Sequence, residues 1–287
     1  MLTLDQRLII GLKALQRPSQ RSPSPSRLAV ERPAQAEDPD GLLSLEALFE
    51  RVGEMPPNSM LLGVCDEDLP QHGGLPFVID LIDPAPGSLL ITGDPGSGKT
   101  RLLRAILASA ACQNPPDQAA FYLVAHQPAQ FSDIGHLDHC RLVMQTFDKS
   151  LASVVQELAD LAEERRRERF AGPAVILAID DLASALLSLD EFAFTLLYWL
   201  IHHGPRSRIW TLATLSTRRI DDLDLRFLAA FRSRLVGHIA EPGQVQTLSG
   251  SQDLPAWELK KGQQFYLPYE AQWLRFRICE PQSLRAL

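Results

Sequence analysis

Gly93-Asp94-Pro95-Gly96-Ser97-Gly98-Lys99-Thr100 fits the spacing GxxxxGK[ST], and it stands directly behind the apolar run Leu89–Thr92. After it, Leu102, Leu103, Ile106 and Leu107 recur at helical spacing. A buried strand, a glycine-rich turn and a helix are therefore fixed in that order, which commits the chain to an α/β fold of the P-loop kind. The glycines allow backbone N–H groups to turn toward an anion, and the N-terminus of the following helix adds the positive end of its dipole. Lys99 supplies an ammonium for the β and γ phosphates, and Thr100 a hydroxyl for Mg²⁺. Gly93, Asp94, Pro95, Gly96, Ser97, Gly98, Lys99, Thr100 and Arg101 are thus read as the binding site of a nucleoside triphosphate, ATP with Mg²⁺.

Further strands are expected over Phe77–Leu81, Ala120–Ala125, Ala174–Ile179, Arg208–Thr214 and Arg234–Ile239, each apolar and short. Between them, Lys149 to Phe170 places Leu151, Val154, Val155, Leu158 and Leu161 on one helical stripe, and a second helix is expected over Leu189–His203. Gln263–Leu267 and Gln272–Ile278 read as a closing C-terminal β-hairpin around Pro268-Tyr269-Glu270. Strands that alternate with helices imply a mostly parallel central sheet covered by helices on both faces.

The run Ala174-Val175-Ile176-Leu177-Ala178-Ile179 ends in Asp180-Asp181, so a buried strand delivers two carboxylates at its carboxyl end, where open α/β sheets bind ligands. This resembles a Walker B segment. Asp180 is assigned to Mg²⁺ and Asp181 to the attacking water, which makes Lys99, Asp180 and Asp181 the candidate catalytic residues and Thr100 and Asp180 the candidate metal ligands. Asp181 is equally placed to cap the helix that follows.

Several pieces in this order resemble the FtsK/HerA superfamily of P-loop motors, including the FtsK/SpoIIIE-type motor domain and the modules of type VII secretion ATPases. They are Phe77-Val78-Ile79-Asp80-Leu81 ahead of the P-loop, a helix ending Arg165-Arg166-Arg167-Glu168-Arg169, and the Asp180-Asp181 strand. Leu212-Ala213-Thr214, Phe231-Arg232-Ser233-Arg234-Leu235-Val236-Gly237 and Gly262-Gln263-Gln264-Phe265-Tyr266-Leu267 complete the set. The resemblance implies a RecA-like core that assembles as a homo-oligomeric ring, often a hexamer, with an arginine from one subunit completing the ATP site of the next. Arg206, Arg208, Arg232 and Arg234 are the candidates for that role. It further implies hydrolysis of ATP to drive DNA translocation or transfer. A secretion or assembly ATPase acting on protein is an alternative, and a nucleotide-dependent switch or scaffold with little turnover is another. Two positions depart from the family pattern: Asp181 stands where these motors usually carry Glu, and Leu215 stands where they usually carry Gln after Leu-Ala-Thr. Leucine cannot hydrogen-bond a phosphate or its water, so slow hydrolysis is expected, with Thr214 or Ser216 as substitutes. The Arg165–Arg169 cluster is read as a solvated helix face paired with Glu163, Glu164 and Glu168.

Composition bears on partners and compartment. The net charge of −7 provides no generally basic face for gripping a nucleic-acid backbone. The longest apolar run, Phe192–Ile201, falls short of the roughly 20 residues that span a bilayer, and Asp5 and Arg7 interrupt the apolar N-terminus, so a cytoplasmic chain without a transmembrane segment is expected. Cys65, Cys112, Cys140 and Cys279 lack paired spacing and are read as reduced thiols. His136, His139 and Cys140 lie close together without a fourth ligand at useful spacing and are read as ordinary loop residues.

Three segments follow from this pattern. Residues 1–16 form an N-terminal amphipathic helix with Leu2, Leu8, Ile9, Leu12 and Leu15 on one face, able to dock on its own domain or to recruit a protein partner or membrane surface. Residues 17–41, with Ser22-Pro23-Ser24-Pro25-Ser26, form a flexible linker, and residues 42–287 form the P-loop ATPase domain.

Overall fold

The structure is a computed structural model that describes residues 43–52, 55–66, 74–169, 172–269 and 272–280. The N-terminal helix and linker expected over 1–16 and 17–41 lie outside the described residues. A first helix, α1 (Leu45–Val52), precedes two antiparallel strands, β1 (Ser59–Cys65) and β2 (Pro76–Asp80). The nucleotide-binding order then follows: β3 (Leu89–Gly93), α2 (Lys99–Gln113), β4 (Ala119–Ala125), β5 (Cys140–Gln145), α3 (Leu151–Glu168) and β6 (Ala174–Asp180). Next come α4 (Leu182–Leu186), α5 (Glu191–His203), β7 (Ile209–Ser216), α6 (Leu225–Ala230), β8 (Ser233–Val236) and α7 (Pro242–Ser249). The hairpin of β9 (Gln264–Tyr269) and β10 (Gln272–Arg277) closes the fold.

These strands make one ten-stranded sheet in the order β2-β1-β10-β9-β8-β3-β7-β6-β4-β5. From β8 to β5 every neighbour is parallel, and from β8 to β2 every neighbour is antiparallel. The registers Gly93↔Ser216, Ala213↔Ile179 and Asp180↔Ala125 bring the carboxyl ends of β3, β7, β6 and β4 to one edge. Alternation of side chains along each strand divides the core between two faces. Ile91, Ile176, Ala178 and Leu212 pack with Leu102, Leu103 and Ile106 of α2, whereas Leu90, Ile179, Ala213 and Leu215 pack with α3 and α5.

The α3 stripe is buried at Leu151, Val154, Val155 and Leu158, and it continues through Ala162 to Arg165, with Leu161 only half-buried at its margin. Arg165 is therefore a correction to the reading of a solvated arginine face. Its Nη1 donates to the carbonyls of Pro173 and Ser207 at 2.8 and 2.9 Å, tying the end of α3 to the segments that enter β6 and β7. Arg166 and Arg167 do remain exposed and pair with Glu163. The hairpin pairs as expected, but Pro268 and Tyr269 belong to β9 itself, opposite Trp273 and Gln272. No described helix is long and apolar enough to cross a membrane.

Candidate functional site

The loop from Asp94 to Gly98 joins the buried end of β3 to the first turn of α2. Gly96 and Gly98 have φ of 79° and 92°, and a Cβ on Gly98 would stand 2.8 Å from the backbone of Gly262. Glycine is required at Gly98 on both counts, conformation and space. α2 begins without a side-chain cap and without an acidic residue in its first turn. Its leading N–H groups and dipole therefore face the loop unopposed, which is the arrangement that binds an anion.

Lys99 folds back over this loop, its Nζ donating to the carbonyls of Gly93 and Asp94 at 3.0 and 2.8 Å. Burial lowers its pKa to about 8, despite the opposing attraction of Asp180, Asp94 and Asp181. The hydroxyl of Thr100 lies 3.0 and 3.1 Å from the two carboxylate oxygens of Asp180. Burial pushes the Asp180 carboxyl above the ordinary range and Asp181 adds to the shift, while Thr214, Thr100 and Lys99 oppose it. A hydroxyl and a carboxylate that converge in this way are hard oxygen donors of the kind Mg²⁺ takes alongside water and phosphate oxygens. The donor set fits that ion, with Thr100 and Asp180 as the residues that would hold it.

Other predicted residues take different parts. The Asp94 carboxylate turns away from the cradle: it accepts from the Thr217 hydroxyl at 2.7 Å and from the Ala240 amide at 2.9 Å, with His238 Nδ1 3.4 Å away. Burial pushes the Asp94 carboxyl up, but these donors and His238 outweigh it and hold the group below the usual carboxylate range. Asp94 thus anchors the P-loop to the segments that leave β7 and β8. Asp181 caps α4, its side chain accepting from the Ser184 amide at 3.3 Å and the Ser184 hydroxyl at 2.6 Å. Arg101 reaches across to the Gly262 carbonyl at 3.4 Å.

Thr214 was proposed only as a substitute for the missing Gln, yet it sits at the centre of the site. Its hydroxyl donates to the Asp180 carboxylate at 2.8 Å and accepts the Asp181 backbone amide at 2.8 Å, fixing one carboxylate and the backbone that carries the other from the neighbouring strand. The signal in the sequence was the β6–β7 register, which is invisible until the strands are paired. Leu215 is fully buried and contributes to the core on the face of α3 and α5. Of the arginine candidates, Arg208 donates to the Gly172 carbonyl and Arg234 to the carbonyls of Leu248 and Leu228, so both are engaged within this chain. Arg206 and Arg232 are exposed and form no ion pair among the described residues. His139 stacks on Phe121 and its Nε2 bonds the Asn114 carbonyl at 2.7 Å.

The cradle opens into a cleft of about 640 Å³ lined by Gly96, Lys99, Thr100, Arg101, Arg104 and Gln130. A larger depression of about 890 Å³ lies on the outer face of α3, but Glu157, Asp160, Glu163 and Glu164 line it and would repel a polyphosphate. Charge, rather than size, selects the smaller cleft.

Fold and cradle together define a P-loop nucleoside-triphosphatase domain. Residues 68–194 match the FtsK/SpoIIIE family model, in agreement with the resemblance read from the sequence. Among curated relatives, the ESX-5 secretion system protein EccC5 of Mycobacterium marinum is 29% identical over 147 residues, covering 46% of this chain and 10% of that protein. EccC5 of Mycobacterium tuberculosis is 27% identical over the same length and the same shares. The chain therefore spans about a tenth of the length of these relatives. Among solved structures, EssC (ATPases 2 and 3) of Geobacillus thermodenitrificans shares the fold with a TM-score of 0.65 at 16% identity, covering 90% of this chain and 48% of that one. The pCW3 conjugation coupling protein TcpA, determined with ATPγS, gives 0.61 at 16% identity over 78% of this chain and 66% of that one.

Proposed function

We propose that this chain binds ATP with Mg²⁺ in the Gly93–Thr100 cradle and hydrolyses it slowly as one subunit of an oligomeric ring. The observation that carries the reading is the convergence of Lys99, Thr100, Asp180 and Thr214 at the carboxyl edge of the sheet, held by hydrogen bonds of 2.8 to 3.1 Å. The free N–H groups of α2 and the Lys99 ammonium hold the β and γ phosphates. The bound metal supplies positive charge that neutralises the phosphate oxygens. Asp181 orients the attacking water and takes its proton as the new oxygen–phosphorus bond forms and the bond to the β–γ bridging oxygen breaks, releasing ADP.

The work done with this energy is the movement of a polymer. Export of polypeptide is favoured, because the curated relatives similar to 46% of this chain are secretion-system proteins and the net charge is −7. DNA translocation or transfer is the second reading, supported by the FtsK/SpoIIIE match. Steady-state ATPase measurements with and without double-stranded DNA, and with the products of neighbouring genes, separate the two. Stimulation by a protein alone supports export; stimulation by DNA alone overturns it. Replacing Lys99 by Ala should weaken ATP binding at least tenfold without unfolding the chain, and unchanged affinity would refute the cradle.

A further inference from the structure

Adjacent carboxylates at the end of β6 are held in opposite ways. Asp180 is drawn toward the P-loop by Thr100 and Thr214. Asp181 is drawn away from it, toward α4. Its backbone has φ 78° and ψ 77°, a left-handed conformation unusual for a residue other than glycine. Its carboxylate accepts the Ser184 hydroxyl at 2.6 Å and the Ser184 amide at 3.3 Å. Arg219 Nη1 stands 3.8 Å from the same carboxylate and donates to Ser184 Oγ at 3.2 Å, and Arg219 Nε is paired with Asp222. The hydroxyl, the amide and the nearby guanidinium take up part of the carboxylate's accepting capacity and hold it toward α4, so it must turn from them to take a proton from a water at the cradle.

Arg219 lies on the 3-10 turn Thr217–Asp222, whose first residue bonds Asp94 of the P-loop at 2.7 Å. One short turn therefore touches both the nucleotide cradle and the group that restrains Asp181.

We propose that Ser184 and Arg219 form a latch on Asp181, so that release of this carboxylate, rather than nucleotide binding, limits turnover. The proposal rests on the reading of Asp181 as the residue that activates water. Ser184 and Arg219 are positioning residues, acting through Asp181 without touching the nucleotide. The asymmetry follows from chemistry: Ser184→Ala removes the restraining hydroxyl but leaves the capping amide bond in place, and Ser184→Thr keeps the hydroxyl.

The test is a comparison of MgATP turnover, MgATP affinity and thermal midpoint for the full chain and its variants. Ser184→Ala is expected to raise kcat about tenfold, the worth of one hydrogen bond to a charged group, with affinity unchanged. Ser184→Thr should turn over like the parent. Arg219→Gln, which opens the latch from the other side, should also raise kcat, and it decides the matter if Ser184→Ala lowers the thermal midpoint. Asp181→Asn should bind MgATP and not hydrolyse it, and adding Ser184→Ala to it should restore nothing. If Asp181→Asn is inactive while both latch variants leave kcat unchanged or lower, the latch is overturned and the role of Asp181 stands. If Asp181→Asn hydrolyses normally, the role of Asp181 fails and the latch with it. An absence of hydrolysis in every variant overturns both.

Discussion

Lys99 is bound to two carbonyls of its own loop, and burial has already lowered its pKa to about 8. An arriving triphosphate restores the charge that burial disfavours, so nucleotide and proton bind together. The free protein loses the Lys99 proton above about pH 8, and ATP must then bring the proton back. Affinity for ATP is accordingly expected to be flat below that pH and to weaken above it, by at most about tenfold per pH unit, as measured by isothermal titration. For folding the sign is reversed. The depressed value means that the charged Lys99 costs native stability below about pH 8, and this cost is relieved as pH rises from there toward the ordinary value of 10.5. Thr214 offers a sharper test of the site because it is buried and serves two carboxylate-bearing residues at once. Thr214→Val keeps the shape and removes the hydroxyl, leaving the Asp181 amide and one Asp180 oxygen without that partner. Denaturant titration should show a loss of about 1 to 3 kcal/mol, and turnover should fall about tenfold or more while ATP affinity changes little.

Elements were legible in proportion to how locally their pattern is written. The strand, glycine turn and helix of the P-loop carry their own punctuation, and β3 and α2 fall within a residue or so of where the sequence places them. β1 and β5 were not anticipated. β5 is an edge strand with Leu142 and Val143 partly in water, so its alternation does not mark a buried face, while β1 is buried along its whole length and shows no alternation at all. Arg165 was misread for a related reason: charge argued for water, but the helical stripe from Leu151 through Ala162 predicts burial, and two backbone carbonyls make that burial tolerable. The contrast with its neighbour can be measured. Arg165→Leu strands the Pro173 and Ser207 carbonyls and should cost about 2 to 3 kcal/mol in urea unfolding, whereas Arg166→Ala removes only an exposed pair with Glu163 and should cost about 0.5 kcal/mol or less.

For the whole molecule, the sheet separates two sets of charges by the length of its strands. The cradle lies at the carboxyl edge, whereas Arg206 and Arg232 precede β7 and β8 at the amino edge. There they stand near His202, Arg166 and His203, and burial together with this positive company lowers the His203 pKa. Arg206 lies before β7, whose eight residues extend roughly 26 Å at about 3.3 Å per residue, and Arg232, just before Ser233 in register with Leu89, lies roughly 16 Å along the sheet from the level of Gly93, so both stand well away from the cradle of their own chain. In the ring proposed above, a head-to-tail arrangement that set the amino edge of one subunit against the carboxyl edge of the next would bring Arg206 or Arg232 to the neighbouring cradle. Arg232→Ala subunits would keep an intact Lys99, and Lys99→Ala subunits would keep an intact Arg232, so each preparation alone should be inactive. Mixed in equal amounts and reassembled, they should recover on the order of a quarter of the parent turnover, because random neighbours place a sound cradle beside a sound arginine at about that fraction of interfaces. Arg206→Ala takes the same test in parallel. Activity that stays at zero in both mixtures would place the completing arginine elsewhere, and activity in the unmixed Arg232→Ala and Arg206→Ala preparations would show that neither residue is needed.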